Sequence, residues 1–262
     1  MTMLVYPQLS TGALCQFPLR KIRRTRAVTN RALDDSTIKL ADPAAELTEW
    51  ILEYRDLSDV EAGALRDFFT AAEGTLNGFT FLDPTGNLLG ASGELDGQVW
   101  QKDPLLTVTG GVTDPMGGTE AWRLVNAGAA GQVLAQTLAV PGNYEYCLSA
   151  YVRSTAPSSA GLLVGAETGV HAARTSWSRA VLAASGAADA ESMRFGIQVD
   201  AGATLEVYGL QVEPQAAASV YKATTRGGVY SDAHLGSDEL NISCTAVNYN
   251  ACLVKIIHAN HI

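Results

Sequence analysis

Between Leu57 and Gly74 the apolar residues fall on a helical period. Val60, Ala64, Phe68 and Ala72 recur every four residues, Leu65 and Phe69 widen the stripe, and Asp59, Arg66, Asp67 and Glu73 lie outside it. The stretch opens on Ser58-Asp59-Val60-Glu61, the spacing of a capping box, in which Ser58 accepts from the Glu61 amide and Glu61 reaches back. Gly74, able to take positive φ without a Cβ clash, ends it. The pattern predicts a helix over 59–73 that must dock on something apolar, most simply the strands read at 50–54 and 79–82 on either side.

Elsewhere the chain breaks into short apolar or alternating runs bounded by Gly, Pro or Asn, which is the mark of strands. In the first 56 residues these fall at 3–6, 16–26, 30–38 and 49–54. Asp83-Pro84-Thr85-Gly86-Asn87 is a turn cluster read as a linker. From Asn87 the series runs through Val99-Trp100, Ala121-Trp122-Arg123-Leu124, 136–142, 144–153, 177–181, 193–197 and 205–213, a spacing that argues a β-sandwich. Strand candidates at 240–247 and 251–257 follow Arg226-Gly227-Gly228. Two strands cannot bury a core alone, so this tail is expected to pair back onto the N-terminal sheet. The reading is a β domain with one helix over 1–86, a sandwich over 87–224 inserted into it, and returning strands over 225–262.

Composition sharpens this picture. At 262 residues there is room for two medium domains, and charged residues make up only 17% of a chain with 25 Gly and 9 Pro, all favouring mostly β architecture. The net charge of −9 is unevenly spread, because residues 1–31 hold Arg20, Lys21, Arg23, Arg24, Arg26 and Arg31 with no acid. A basic strand on an acidic body points to an acidic partner surface and makes Arg20, Lys21, Arg23, Arg24 and Arg26 candidates for an assembly interface. The blander reading is a solvated strand edge guarded by positive charge. Nucleic acid is disfavoured, since no helix-turn-helix, zinc-finger spacing or aromatic-plus-basic platform accompanies the run.

No secretory signal opens the sequence, Pro7 interrupts its first apolar stretch, and no run approaches a membrane span, so a soluble protein made in the cytoplasm is expected. The scattered Cys15, Cys147, Cys244 and Cys252 read as buried hydrophobes without a disulfide. No nucleophile elbow, phosphate-cradling loop, zinc-protease helix or paired-Cys ligand set is present, so no catalytic residue, metal or cofactor is expected. Asp96, Asp103, Asp114, Glu120, Glu145 and Glu167 could in principle supply a glycosidase pair, but nothing in their context singles one out. His258-Ala259-Asn260-His261 reads as a tail.

The Trp-bearing strand, Leu57-Ser58-Asp59-Val60-Glu61, the aromatic helix and Gly78-Phe79-Thr80-Phe81-Leu82-Asp83-Pro84 closely resemble the N-terminal domain of minor or distal tail proteins of tailed bacteriophages and related prophage or gene-transfer particles. The ordered series over 87–224 resembles the jelly-roll, galactose-binding-like carbohydrate-binding modules found on phage tail proteins and glycoside-active enzymes. Together they imply a mainly β protein: a tail-tip β domain with one packed helix, plus a galactose-binding-like β-sandwich. The implied function is structural and non-enzymatic, in the virion tail tip or baseplate after assembly in the host cytoplasm. Implied partners are copies of itself in a ring, tail tube and tail hub proteins, and host surface polysaccharide met by an outward jelly roll. The alternative is a carbohydrate-active enzyme or free lectin.

Sugar binding in such modules uses aromatic faces, for which Trp100, Trp122, Tyr144, Tyr151, Trp177 and Tyr208 are available. Trp122 and Tyr151 lie in apolar runs and read as core; Trp100 and Trp177 stand next to polar or loop segments, and with Tyr144 they are taken as the glycan-binding candidates. Some tail-tip proteins hold an iron–sulfur cluster through C-terminal cysteines, but Cys244 and Cys252 supply two thiolates where four are usual. A structural Ca²⁺ is common in the resembled modules; Glu94 and Asp96 stand near the entry but are too few for a site.

Overall fold

A computed structural model of the chain describes residues 4–259, so Met3, Asn260 and His261 lie outside the described residues. The first elements are β1 (Leu19–Arg31), β2 (Thr37–Leu57), α1 (Asp59–Ala72) and β3 (Phe79–Leu82). Next come β4 (Gln101–Lys102), β5 (Leu106–Val112), β6 (Ala121–Asn126), β7 (Gln132–Leu138), β8 (Tyr146–Arg153), β9 (Ser158–Val164) and β10 (Glu167–Ala173). They are followed by β11 (Ser178–Ala184), β12 (Met193–Val199), β13 (Thr204–Glu213), β14 (Val229–Leu235), β15 (Ile242–Ala246) and β16 (Tyr249–Ala259). The fold is mainly β and divides into two compact units, one of residues 4–10, 15–81 and 230–259, the other of residues 11–14 and 82–229.

The first unit is a six-stranded sheet in the order β1-β2-β16-β14-β3, with β15 paired to β16. β16 runs antiparallel to β2 from Asn250↔Leu57 to Ala259↔Leu47, so strands from the two ends of the chain share one ladder. The period of two puts Trp50, Leu52 and Tyr54 on the buried face of β2. Both capping-box bonds of α1 are made: Ser58 Oγ accepts the Glu61 amide at 3.2 Å and Glu61 Oε2 accepts the Ser58 amide at 2.9 Å. Glu61 Oε1 also accepts the Ser10 amide at 3.0 Å, tying the N-terminal segment to the helix start.

The buried stripe of α1 differs from the expected one. It is Ala62, Leu65, Phe68 and Ala72, while Val60 and Ala64 are exposed. At 3.6 residues per turn, a strict row of every fourth residue drifts about 40° per step, so it winds off any single face. The helix ends one residue sooner than expected, because Glu73 (φ 50°) already adopts the left-handed conformation, and Gly74 (φ 63°) follows it there as the sequence predicts. Phe68 meets Tyr6 edge-on at 5.2 Å and Phe79 at 4.8 Å, Trp50 meets Phe81 at 5.0 Å, and the Tyr6 and Tyr54 hydroxyls share a hydrogen bond of 2.8 Å.

The segment expected as a strand over 30–38 contains a hairpin turn. Asn30 pairs with Ile38, the Ala32 amide donates to the Ser36 carbonyl at 2.9 Å, and the Asp34 carboxylate accepts the Ser36 amide at 3.1 Å. Asp34-Asp35-Ser36 is turn chemistry, and it prevails over the flanking β propensity. Among the described residues the β16 ladder reaches Leu47 of β2, and over residues 26–42 β1 and β2 pair only with each other as a two-stranded arm. Val28 lies opposite Leu40 and Asn30 opposite Ile38, which sets Val28, Ile38 and Leu40 on one exposed face, with exposed Leu33 in the turn.

The basic run is not an uncompensated patch. β2 brings acids into register: Arg23 pairs with Glu46 at 2.9 Å, Arg24 with Glu49 at 2.7 Å and Arg26 with Asp42, while Arg31 pairs with Asp35 at 3.0 Å. Exposed pairs of this kind contribute about 0–1 kcal/mol each.

The second unit is a sandwich of two five-stranded antiparallel sheets, β10-β9-β12-β7-β4 and β11-β8-β13-β6-β5. β8 shows why they stack: Tyr146, Leu148, Ala150 and Val152 point into the core, where Phe195, Ile197, Leu205 and Val207 are also buried. Asn126 is a buried polar group that is fully used: its Nδ2 donates to the carbonyls of Ala130 at 2.8 Å and Val199 at 3.0 Å. All four cysteines are free thiols; Cys15, Cys147 and Cys252 are buried, but Cys244 on β15 is exposed. Burial pushes the Cys147 and Cys252 thiols up to about 11. Among the described residues no helix is long and apolar enough to cross a membrane.

Candidate functional site

Alternation along β8 turns Ser149, Tyr151 and Arg153 away from the core, and the strand register carries that outer face across the sheet. Arg153 lies opposite Glu206 of β13, which lies opposite Arg123 of β6; Tyr151 lies opposite Tyr208 of β13 and Arg179 of β11. One face thus presents guanidinium groups, a carboxylate and tyrosine rings side by side.

Two bulges re-aim the neighbouring side chains. In β13 the register shifts between Tyr208 and Gln211, with Gly209 at φ +68°. A Cβ there would lie 3.0 Å from Cγ of Tyr221, so glycine is needed both for the backbone and for the ring packed against it. Tyr221 in consequence stands edge-on to Tyr208 at 5.3 Å, and Tyr208 lies 6.1 Å from Tyr151. In β5 the shift falls between Thr109 and Val112, and a Cβ on Gly110 would lie 3.1 Å from the Trp122 ring.

Glu206 is the electrostatic centre. Its Oε1 accepts Arg123 Nη2 at 2.7 Å and Nε at 3.2 Å, and its Oε2 accepts Arg153 Nε at 2.5 Å. Burial works to raise the Glu206 pKa, but the bonds and charges of the two arginines outweigh it and hold the carboxyl below its ordinary range. The Arg153 guanidinium lies over the Trp177 ring at 4.6 Å, and that of Arg179 over Tyr151 at 5.4 Å. Burial, followed by the charges of Asp114 and Glu120, raises the Tyr208 phenol, which therefore stays a hydrogen-bond donor at neutral pH. A cleft of about 350 Å³ lies among Thr109, Val112, Thr113, Arg123, Arg153 and Glu206. A second, of about 410 Å³, is lined by Glu94, Glu120, Trp122, Tyr208 and Tyr221 among others.

Of the expected glycan-binding residues, the structure brings only Trp177 to this face. Trp100 is 6% exposed and its indole donates to the Ala91 carbonyl at 3.1 Å, so it is a core residue with no free face; Tyr144 is buried as well. Trp122 and Tyr151, expected in the core, are half-buried and border the clefts or the outer face. Arg123, Arg153, Arg179, Glu206 and Tyr221 went unmarked in the sequence. A signal was there, since Ser149-Ala150-Tyr151-Val152-Arg153 and Leu205-Glu206-Val207-Tyr208 both alternate, and the polar and aromatic members are the outward ones.

The other carboxylates considered are structural or exposed. Asp114 accepts the amides of Met116, Gly118 and Glu120 at 2.7, 3.1 and 3.2 Å, and Asp103 accepts that of Val133 at 2.8 Å. Glu94 and Asp96 are exposed. Among the described residues no group of three or more His, Cys, Asp or Glu side chains is arranged to hold a metal ion.

No protein-family model and no curated protein matches the chain. Among solved structures it is similar to the CBM22-1 xylan-binding domain of Paenibacillus barcinonensis Xyn10C, at 15% identity over 55% of this chain and 98% of that one, with a TM-score of 0.38. It is also similar to TmCBM61 in complex with β-1,4-galactotriose, at 11% identity over 48% and 97%, TM-score 0.37. A third is the enzymatically active domain of bacteriophage CBA120 tailspike protein 4, at 15% identity over 51% and 22%, TM-score 0.38. The chain thus spans under a quarter of that tailspike structure, and 28% of a Clostridium thermocellum xylanase 10B structure that it also matches.

Proposed function

We propose that the chain is a structural, non-enzymatic component of a phage-like tail tip whose sandwich binds host-surface glycans on the outer face of the β11-β8-β13-β6-β5 sheet. The observation that carries this reading is the juxtaposition of half-buried Trp177, Tyr151 and Tyr208 with Arg123, Arg153 and Glu206 on one face. Sugar rings stack their C–H faces on aromatic rings, and planar charged groups take their hydroxyls. The two acids carried by the strands of this sheet support a binding rather than a catalytic role. Glu206 is clamped as an anion and has no proton to give, and Glu213, the other acid on these strands, is buried and accepts Gln211 Nε2 and the Ser219 amide, each at 2.8 Å.

In the same reading the first unit joins copies of itself into a ring, next to tail tube and hub proteins, in a particle assembled in the host cytoplasm. An isolated two-stranded ribbon is marginal in water, and the arm exposes Val28, Leu33, Ile38 and Leu40, which supports a second copy as its cover. Arg20, Lys21, Arg23, Arg24 and Arg26 flank that contact. Since the last three are matched by acids of their own hairpin, the apolar face supplies the drive and the charges help to set register.

Sedimentation of the purified chain at rising concentration tests assembly: oligomers are expected for the wild type and monomers for Ile38→Ser/Leu40→Ser. A wild type that stays monomeric and fails to co-assemble with its neighbouring tail proteins overturns the ring. Calorimetric titration with host surface polysaccharide tests the face, with binding expected to fall in Trp177→Ala and Tyr208→Ala. Robust turnover of that polysaccharide, abolished by one carboxylate substitution, would instead favour the carbohydrate-active enzyme.

A further inference from the structure

We infer that the sugar this face selects is an acidic one, carrying a carboxylate that sits on Arg123 and Arg153 beside Trp177. The inference rests on the glycan-binding reading and goes beyond it to the class of ligand. Two guanidinium groups share one carboxylate here, so the cluster keeps a positive charge in a chain whose net charge is −9.

The order of burial decides what a ligand meets. Glu206 has 5% of its side chain exposed, against 27% for Arg153 and 53% for Arg123. The carboxylate lies beneath and the guanidinium groups face outward. Glu206 takes Nε and Nη2 of Arg123 and Nε of Arg153, whose Nη2 donates to the Thr113 carbonyl at 3.2 Å, so both arginines are fixed before any ligand arrives and a ligand carboxylate would meet their remaining N–H groups and their charge. Arg179, the third arginine of the face, makes its hydrogen bonds to neutral oxygens, Ser149 Oγ at 3.0 Å and the Ser219 carbonyl.

The face is also polar along its length. Asp114 and Glu120 act on Tyr208, and Glu94 and Glu120 line the cleft of Trp122 and Tyr221, so negative charge gathers at that end. A saccharide would therefore lie with its acidic residue over Trp177, Arg153 and Arg123 and its neutral residues toward Tyr208. The opposite orientation would set like charges together.

The test is calorimetric titration of the full chain with uronate oligosaccharides, oligogalacturonate and oligoglucuronate, each beside its methyl ester, which keeps the backbone and removes only the charge. The acid is expected to bind about tenfold or more tightly than its ester at low salt, with the gap narrowing as salt rises. Arg123→Gln should cut the affinity for the acid far more than that for the ester and so narrow the gap between them, and Trp177→Ala should weaken both; a wild-type-like folded spectrum of each variant at the titration temperature separates lost contact from lost fold. Equal binding of acid and ester overturns the inference but leaves glycan binding standing. No binding of any saccharide, host polysaccharide included, overturns both. A preference for the acid that survives Arg123→Gln and Arg153→Gln also overturns it, because the charge would then be read elsewhere.

Discussion

Replacing Glu206 by Gln tests whether the arginine cluster is built on that carboxylate. Three hydrogen bonds to it, at 2.7, 3.2 and 2.5 Å, would each lose an ionised acceptor, and the new amide would turn an N–H₂ toward one of the guanidinium groups. Breaking a fully buried ion pair costs about 3–5 kcal/mol. Arg123 and Arg153 are partly exposed and regain water, so the expected loss is smaller, roughly 2–3 kcal/mol at neutral pH. For a unit of this size that lowers the melting temperature by about 5–10 °C. The sign of the pH dependence is fixed by the direction of the shift. Glu206 titrates lower in the folded chain than the ordinary value of about 4.3, so its contribution is complete above that pH and is lost as pH falls through the folded value. Thermal unfolding of wild type and Glu206→Gln should therefore differ most near neutrality and converge in acid, and a cycle with Arg123→Gln should show coupling of about 1–2 kcal/mol. A gap below about 0.5 kcal/mol at neutral pH, or one that persists undiminished in acid, would refute the account.

What could be read from the sequence followed the range of each interaction. The α1 capping box involves Ser58 and Glu61 alone, and both bonds form as their spacing implies. Which face of the helix is buried depends on Tyr6 and Phe79, outside the helix, and there the four-residue row misled by including Val60 and Ala64. Arginines 23, 24 and 26 were visible as a basic run, but their partners Glu46, Glu49 and Asp42 come into range only once the hairpin register exists. The same limit governs the site. An aromatic next to polar residues looked accessible at Trp100, yet the fold closes over it, while Tyr151 in an apolar run lies on an outward position of β8. Period-two alternation carried that information for Tyr151, Arg153, Glu206 and Tyr208. The arrival of Tyr221 beside Tyr208 depends on a bulge and a loop, and no local pattern encodes it.

Three further outcomes are expected. Phe68→Ala should cost about 3–5 kcal/mol in urea unfolding followed at Trp50, because Phe68 is buried between Tyr6 and Phe79; a loss under 1 kcal/mol, about the worth of a cap, would mean that α1 is not docked as described. Trp100→Ala should cost a similar roughly 3–5 kcal/mol and leave glycan affinity intact in the protein that remains folded, and the reverse pattern, stable protein with lost binding, would restore Trp100 to the site. The last concerns Gly209→Ala, which joins backbone to site. At φ +68° any L-residue is strained by about 1–3 kcal/mol, and the added Cβ would lie 3.0 Å from Tyr221 Cγ and 3.2 and 3.3 Å from its two Cδ atoms. The ring must then move away, which breaks its edge contact with Tyr208 and strains its hydrogen bond to Ser92 Oγ at 3.1 Å. Unfolding should show the backbone cost, while titration with saccharide should show weaker binding at an otherwise unaltered set of arginines. If Gly209→Ala melts with the wild type, the bulge does not need its glycine. If it is destabilised but binds sugar undiminished, Tyr221 and its packing on Tyr208 lie outside the binding face.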